Sequence, residues 1–232
     1  MTERIIFQKS TMLEELFGKT RWQRSAEIAN LILRHYYPHV NPQTQLSATD
    51  VINTIKSSSL SGLFTASMNA LQTDILYKSR LHGQSHIERT AVLCAFLALH
   101  LDFSEREFFL CLEAAKYHDA GRTREGEEPE HGRYGAQKIE AVCRTCTQEE
   151  QNLLKAVITA HCLPNKEELL IFQQYCGNDI ISCRTFRRMI RILKDADALD
   201  RFRLSCHGPD IRYLRLKESQ KLLLAACEMV NS

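Results

Sequence analysis

Apolar residues along this chain recur at steps of three and four and rarely alternate with polar ones. That period lines up one face of a 3.6-residue helix, so the chain reads as nearly all helical. The clearest segment runs from His86 to His100, where Ile87, Ala91, Cys94, Leu97 and Ala98 build a wide apolar face. Behind it Ser104 stands as an N-cap, with Glu107 at the capping-box position and Phe108-Phe109-Leu110 following. This helix is expected to end near Tyr117, with Gly121 as its terminator. The glycine- and acid-rich stretch 121–130 predicts a loop. Further helices are predicted from His131 to Cys143, and from a Thr147 cap to His161 with Pro164 marking the exit. Two more are predicted from Arg184 to Arg203 and from Leu214 to Met229.

The first 75 residues also read as helices, with a cap at Ser47 or Thr49. A polar connection over Pro38 to Thr44 and a break over Ser57 to Gly62 divide them. They carry no chemical motif. The expected organisation is a helical amino-terminal region over 1–75, followed by the main helical domain over 76–232.

Composition adds limits. A chain of 232 residues, 44% hydrophobic and 25% charged, can bury one substantial core. Its formal net charge of +2 gives no sign of a dedicated nucleic-acid surface. No apolar run approaches the roughly 20 residues of a membrane helix. The amino terminus lacks the apolar core and cleavage site of a secretory signal. Nine cysteines are an odd number, mostly in apolar helical settings such as that of Cys94, so reduced thiols and a cytoplasmic location are expected. Cys143 and Cys146 form one C-x-x-C in a predicted helix–loop–helix join, without the second pair a structural zinc needs or the strand–helix context of a redox motif. A glycine-rich phosphate loop is missing too.

The histidines and aspartates carry the chemistry. His86 opens one predicted helix, His118-Asp119 closes the next, and Asp197 lies within a third, inside Lys194-Asp195-Ala196-Asp197-Ala198-Leu199-Asp200. Ligands converging from several helices suit a divalent ion, and imidazole with carboxylate is compatible with Mn, Fe, Zn, Co, Ni or Mg. His131 and His161, each at a helix end, could close around a second ion with Asp119 bridging the two. Of the three aspartates only Asp197 need face the metal, because spacings of two and three residues point them in different directions. The neighbouring Ala196, Ala198 and Leu199 argue for burial of at least one carboxylate, which is costly without a cation and so favours a ligand. Asp200 is placed to orient a metal-bound histidine or to pair with Arg203. His82, Arg89, Arg122 and Lys194 flank these ligands and are the candidate substrate contacts, with Arg122 foremost for a phosphate.

This ordered series resembles the HD superfamily of metal-dependent phosphohydrolases. The likeness rests on His86 with Arg89 and Thr90, on Tyr117-His118-Asp119-Ala120-Gly121-Arg122, and on Asp197 before Ala198-Leu199. His131 and His161 resemble the histidines that hold a second metal in the binuclear branch. The likeness covers roughly residues 78 to 203 and leaves the amino-terminal third without a named family. It implies an all-α, HD-type helical bundle holding one or two divalent ions, with Asp119 also catalytic. It further implies hydrolysis of a small phosphorylated substrate, a nucleotide or another phosphate ester or anhydride. A di-iron oxygenase on the same ligands and a non-catalytic regulatory HD module are the alternatives. The complete ligand set speaks against the second.

Overall fold

The computed structural model describes residues 22–232, and the helical expectation for the first 21 residues lies outside them. The described residues contain helices and turns and no strand. Helix α1 spans Trp22–Tyr36, α2 Ala48–Ser57 and α3 Ser61–Asn69. Next come α4 at Gln84–His100, α5 at Glu105–Tyr117, α6 at His131–Ala136 and α7 at Ile139–Val142. Helices α8 (Gln148–His161), α9 (Glu168–Cys176), α10 (Ile180–Leu199) and α11 (Leu223–Asn231) complete the fold.

Helix α4 is the axis. The sequence predicts one apolar face for it, yet every side chain from His86 to Ala98 is buried. Helices α2, α5, α10 and α11 all pack against it, so no side is left for solvent. A helix so enclosed needs no polar stripe, but its His86, Glu88, Arg89 and Thr90 must find partners inside the protein. Helix α1 packs on α11 and α2 on α4, and the Glu228 carboxylate accepts the buried Ala48 N–H at 2.6 Å. One hydrophobic core therefore runs from Ala29 and Leu33 through to Met229.

Local signals set the two helices that carry histidines at their ends. The Ser104 hydroxyl accepts from the Glu107 N–H while the Glu107 carboxylate accepts from the Ser104 N–H, and α5 then ends at Tyr117 as predicted. Thr147 and Glu150 form the same reciprocal pair at the start of α8, which ends on His161. Ser47, rather than Thr49, caps α2, with Asp50 closing the box. Each such cap stabilises by about 1 kcal/mol.

Elsewhere the structure departs from the expected helices. The segment from His131 to Cys143 is two short helices, α6 and α7, parted at Gln137-Lys138, with Gly132 and Gly135 inside the first. Those glycines serve close approach: a Cβ at residue 132 would lie 2.5 Å from the Ile158 carbonyl oxygen on α8. Gly121 is also no helix terminator. It does not take the left-handed conformation, and its Cβ would sit 2.0 Å from the His131 carbonyl oxygen, so it lets α6 dock on the turn after α5. Helix α10 begins at Ile180, capped by the Asp179 carboxylate, and gives way to a tighter turn over Asp200–Arg203. The predicted closing helix starts only at Leu223. Before it, the Asp195 carboxylate accepts the Arg215 and Leu216 N–H groups and holds that backbone out of a helix. Helix α9 was not predicted at all. None of the described helices is long and apolar enough to cross a membrane, and all nine cysteines are free thiols.

Candidate metal centre

Four imidazoles meet in two pairs. His118 follows α5 and its Nδ1–H donates to the Ala115 carbonyl at 2.8 Å. His86 Nδ1–H donates to Asp200 Oδ2 at 2.8 Å. A carbonyl or carboxylate only accepts, so each ring carries its proton on Nδ1 and presents a lone pair at Nε2. Those two Nε2 atoms are 3.0 Å apart. Across the site His131 Nδ1–H donates to the Glu128 carbonyl and His161 Nδ1–H to the Ile158 carbonyl, and their Nε2 atoms lie 2.9 Å apart.

The Asp119 carboxylate stands between the pairs. Its Oδ1 is 3.0 Å from His131 Nε2 and 3.6 Å from His161 Nε2, while Oδ2 is 3.5 Å from His86 Nε2. Asp197 Oδ1 closes the set at 3.4 Å from His86 Nε2. All six ligands expected from the sequence (His86, His118, Asp119, His131, His161 and Asp197) are thus brought together.

Lone pairs facing at 3.0 and 2.9 Å repel unless a cation lies between them. A proton on His118 cannot provide it, because burial, with His161 and His86 nearby, pushes that imidazole down to about 3 against the pull of Asp119. Burial works to raise the Asp119 carboxyl, yet the imidazoles gathered around it outweigh it and hold it well below the usual carboxylate range. Neutral imidazoles around a fixed anion form a donor set that fits divalent metal. Ligand atoms within 4.8 Å of one another define a group of His86, His118 and Asp197, and another of His118, Asp119 and His161.

The flanking residues divide. His82 is buried and its Nδ1 lies 3.1 Å from Asp119 Oδ2, which joins it to the ligand cluster. Arg122 Nε is 2.9 Å from the same oxygen, off the line of a hydrogen bond, and its Nη1 donates to the Gly126 carbonyl. Arg89 is otherwise engaged than expected. Its guanidinium forks onto Asp200 at 2.6 and 3.0 Å, and so acts on His86 through that carboxylate. Lys194 is likewise removed from substrate contact. Its ammonium donates to the Leu163 carbonyl, Asn165 Oδ1 and Glu168 Oε1, which takes all three of its protons.

Burial also singles out the wrong aspartates. Asp195 and Asp200 are fully buried, but backbone N–H groups with Arg215 satisfy the first, and Arg89 with His86 the second. Asp197, the one that faces the imidazoles, keeps 34% of its side chain open, and this marks the entrance. Arg203, expected only as a partner of Asp200, lies 3.6 Å from both Asp197 and Asp200, with a buried Nη1 that has no hydrogen-bond partner. One residue escaped the sequence reasoning: Cys162 groups with His131 and His161, and its sequence signal was its place next to His161.

The sequence profile of the HD domain matches residues 83–201, a span holding all six ligands. The chain belongs to the HD-domain family. HD domains bind divalent metals, and the helical architecture agrees with the family's fold. In this HD domain the eponymous pair is His118-Asp119, set by the end of α5. No curated protein and no solved structure matches the chain.

Proposed function

We propose that this HD domain is a metal-dependent phosphohydrolase acting on a nucleotide or another small phosphate ester or anhydride. The observation that carries this reading is the pair of facing imidazole couples with one carboxylate between them. His86, His118, Asp119 and Asp197 would hold one ion, and Asp119, His131 and His161 a second. Divalent ions so held supply a bound water of lowered pKa and positive charge beside the phosphate oxygens.

The chain's own groups do the rest. Asp119, kept anionic by its histidines, is placed to orient a water between the two pairs. His82 meets its Oδ2 oxygen at 3.1 Å, and Arg122 sets a positive charge 2.9 Å from the same oxygen. The remaining donors of Arg122, and Arg203 with its Nη2 3.6 Å from Asp197, stand beside the ligands and would offset phosphate charge. A di-iron oxygenase would use the same six ligands, but Arg122 and Arg203 beside those ligands favour an anionic substrate.

The test is phosphate release from a panel of nucleotides, phosphomonoesters, phosphodiesters and pyrophosphates, with Mn, Fe, Co, Ni, Zn or Mg supplied in turn. Activity is expected with at least one class and is expected to vanish in Asp119→Ala. Metal-loaded protein that releases no phosphate from any class, or that consumes oxygen instead, overturns the proposal.

A further inference from the structure

A groove with a volume of about 790 Å³ lies away from the metal centre, between α9 and the amino-terminal half of α10. Arg184, Arg187, Arg188 and Arg191 line one wall, and Leu169 and Phe172 stand opposite. The arginines sit at i, i+3, i+4 and i+7, so α10 presents them as one row, about 10 Å long at 1.5 Å per residue. Arg188 is tied down, donating to Glu107 and the Leu101 carbonyl and stacking on Phe103. Arg184, Arg187 and Arg191 are exposed, and none has a carboxylate partner among the described residues.

Like charges at these spacings destabilise a helix, so Arg184, Arg187 and Arg191 carry an electrostatic cost that no described carboxylate relieves. Guanidinium forks take phosphate bidentately, and neighbouring forks on one helix face lie a few ångströms apart, which suits consecutive phosphates. The apolar wall offers contact to a non-polar or aromatic body. The volume falls in the range of roughly 300–1,000 Å³ typical of small-molecule sites. From Arg191 to Asp197 is six residues, or about 9 Å along α10, and the groove shares no lining residue with the metal centre.

We propose that this groove is a second binding site, for a small molecule that joins two or more phosphates to an apolar or aromatic body, as nucleoside polyphosphates do. The triphosphate row lies along Arg184, Arg187 and Arg191, and the body packs on the exposed Leu169, with Phe172 buried behind it. The site is independent of the reaction at the metal centre.

Calorimetric titration of the full-length, metal-loaded protein tests it, with inorganic tripolyphosphate and a non-hydrolysable nucleoside triphosphate as probes. Saturable binding of both is expected, tighter for the nucleotide. Arg187→Gln/Arg191→Gln, two exposed positions, should weaken it at least tenfold while the melting temperature stays near wild type. His118→Ala should leave this binding in place. The proposal is overturned if neither probe saturates, or if the arginine variant binds equally well. It is also overturned if binding disappears in His118→Ala and persists in the arginine variant, which would place the ligand at the metal centre. Tighter capture of a polyglutamate peptide or a single-stranded oligonucleotide than of the nucleotide overturns it as well.

Discussion

Asp200→Asn is the sharpest probe of how the metal centre is held together. Asp200 is fully buried, takes the Arg89 fork at 2.6 and 3.0 Å and the His86 Nδ1–H at 2.8 Å, and so joins three ionisable groups in the core. An amide keeps the shape but offers one acceptor where two oxygens accepted three bonds, and it removes the charge. Arg89 is then a buried, uncompensated cation, because its side chain is only 10% exposed. Breaking a buried pair on one side costs about 3–5 kcal/mol, and the retained amide oxygen points to the low end, about 3 kcal/mol. The His86 ring also loses the acceptor that fixes its tautomer, which should weaken metal affinity by about 10–100-fold. Urea unfolding in chelator reads the first effect and titration with Mn or Co reads the second. Adding Arg89→Met removes the orphan cation, so it should recover part of the stability and none of the affinity. A loss below about 1 kcal/mol in Asp200→Asn, or wild-type metal affinity in the double variant, would refute the reasoning.

Four further outcomes are expected. The His118 imidazole, pushed down to about 3, refuses a proton that the unfolded chain takes near pH 6.5. Metal-stripped protein should therefore lose stability as pH falls from about 6.5 toward 3, by at most ~1.4 kcal/mol per unit; equal denaturation midpoints at pH 7 and 5 would contradict this. Gly121→Ala should cost about 1–3 kcal/mol by forcing α6 away and should lower the metal content of the His131 site, checked by melting and elemental analysis. His131→Ala or His161→Ala should reduce bound metal from about two per chain toward one, whereas a wild-type stoichiometry of one would remove the second site. Lys194→Met should destabilise by about 1–2 kcal/mol through the unpaired Glu168 and leave KM unchanged; a large rise in KM would return Lys194 to the substrate.

What the sequence revealed follows the range of the interactions. Capping boxes at Ser104 and Thr147 span three residues, so the helices they start, and the histidines those helices deliver, were legible. The same holds for the ligand set, because a family motif keeps its spacing along the chain. Arg89 and Lys194 were misread because their partners lie 111 and 26 residues away, and composition beside them says nothing of a buried acceptor. The aspartate triplet was read with Asp197 toward the imidazoles and Asp200 on a histidine, and only the burial argument misled. Apolar neighbours do mark burial, but at Asp195 and Asp200 distant donors satisfy it, while the residue facing the metal needs an open side. Gly121 and Gly132 were illegible because close backbone approach leaves no local trace.

The enclosure of α4 decides how the two candidate sites would exchange their ions. His86 has no exposed surface and is braced through Asp200 and Arg89, so an ion on it leaves only past Asp197 or by opening the core. Core opening in small domains occurs at rates from about 10 down to 10⁻⁶ per second. His131 instead stands at the start of a six-residue helix, behind the exposed 122–130 loop, and local loosening there is far cheaper. The second site should refill from its surroundings quickly, whereas the first exchanges through the narrower Asp197 side and so more slowly. Two preparations from cultures with different metal supply would then differ longest at the first site, and brief dialysis would erase the second site's history before the first's.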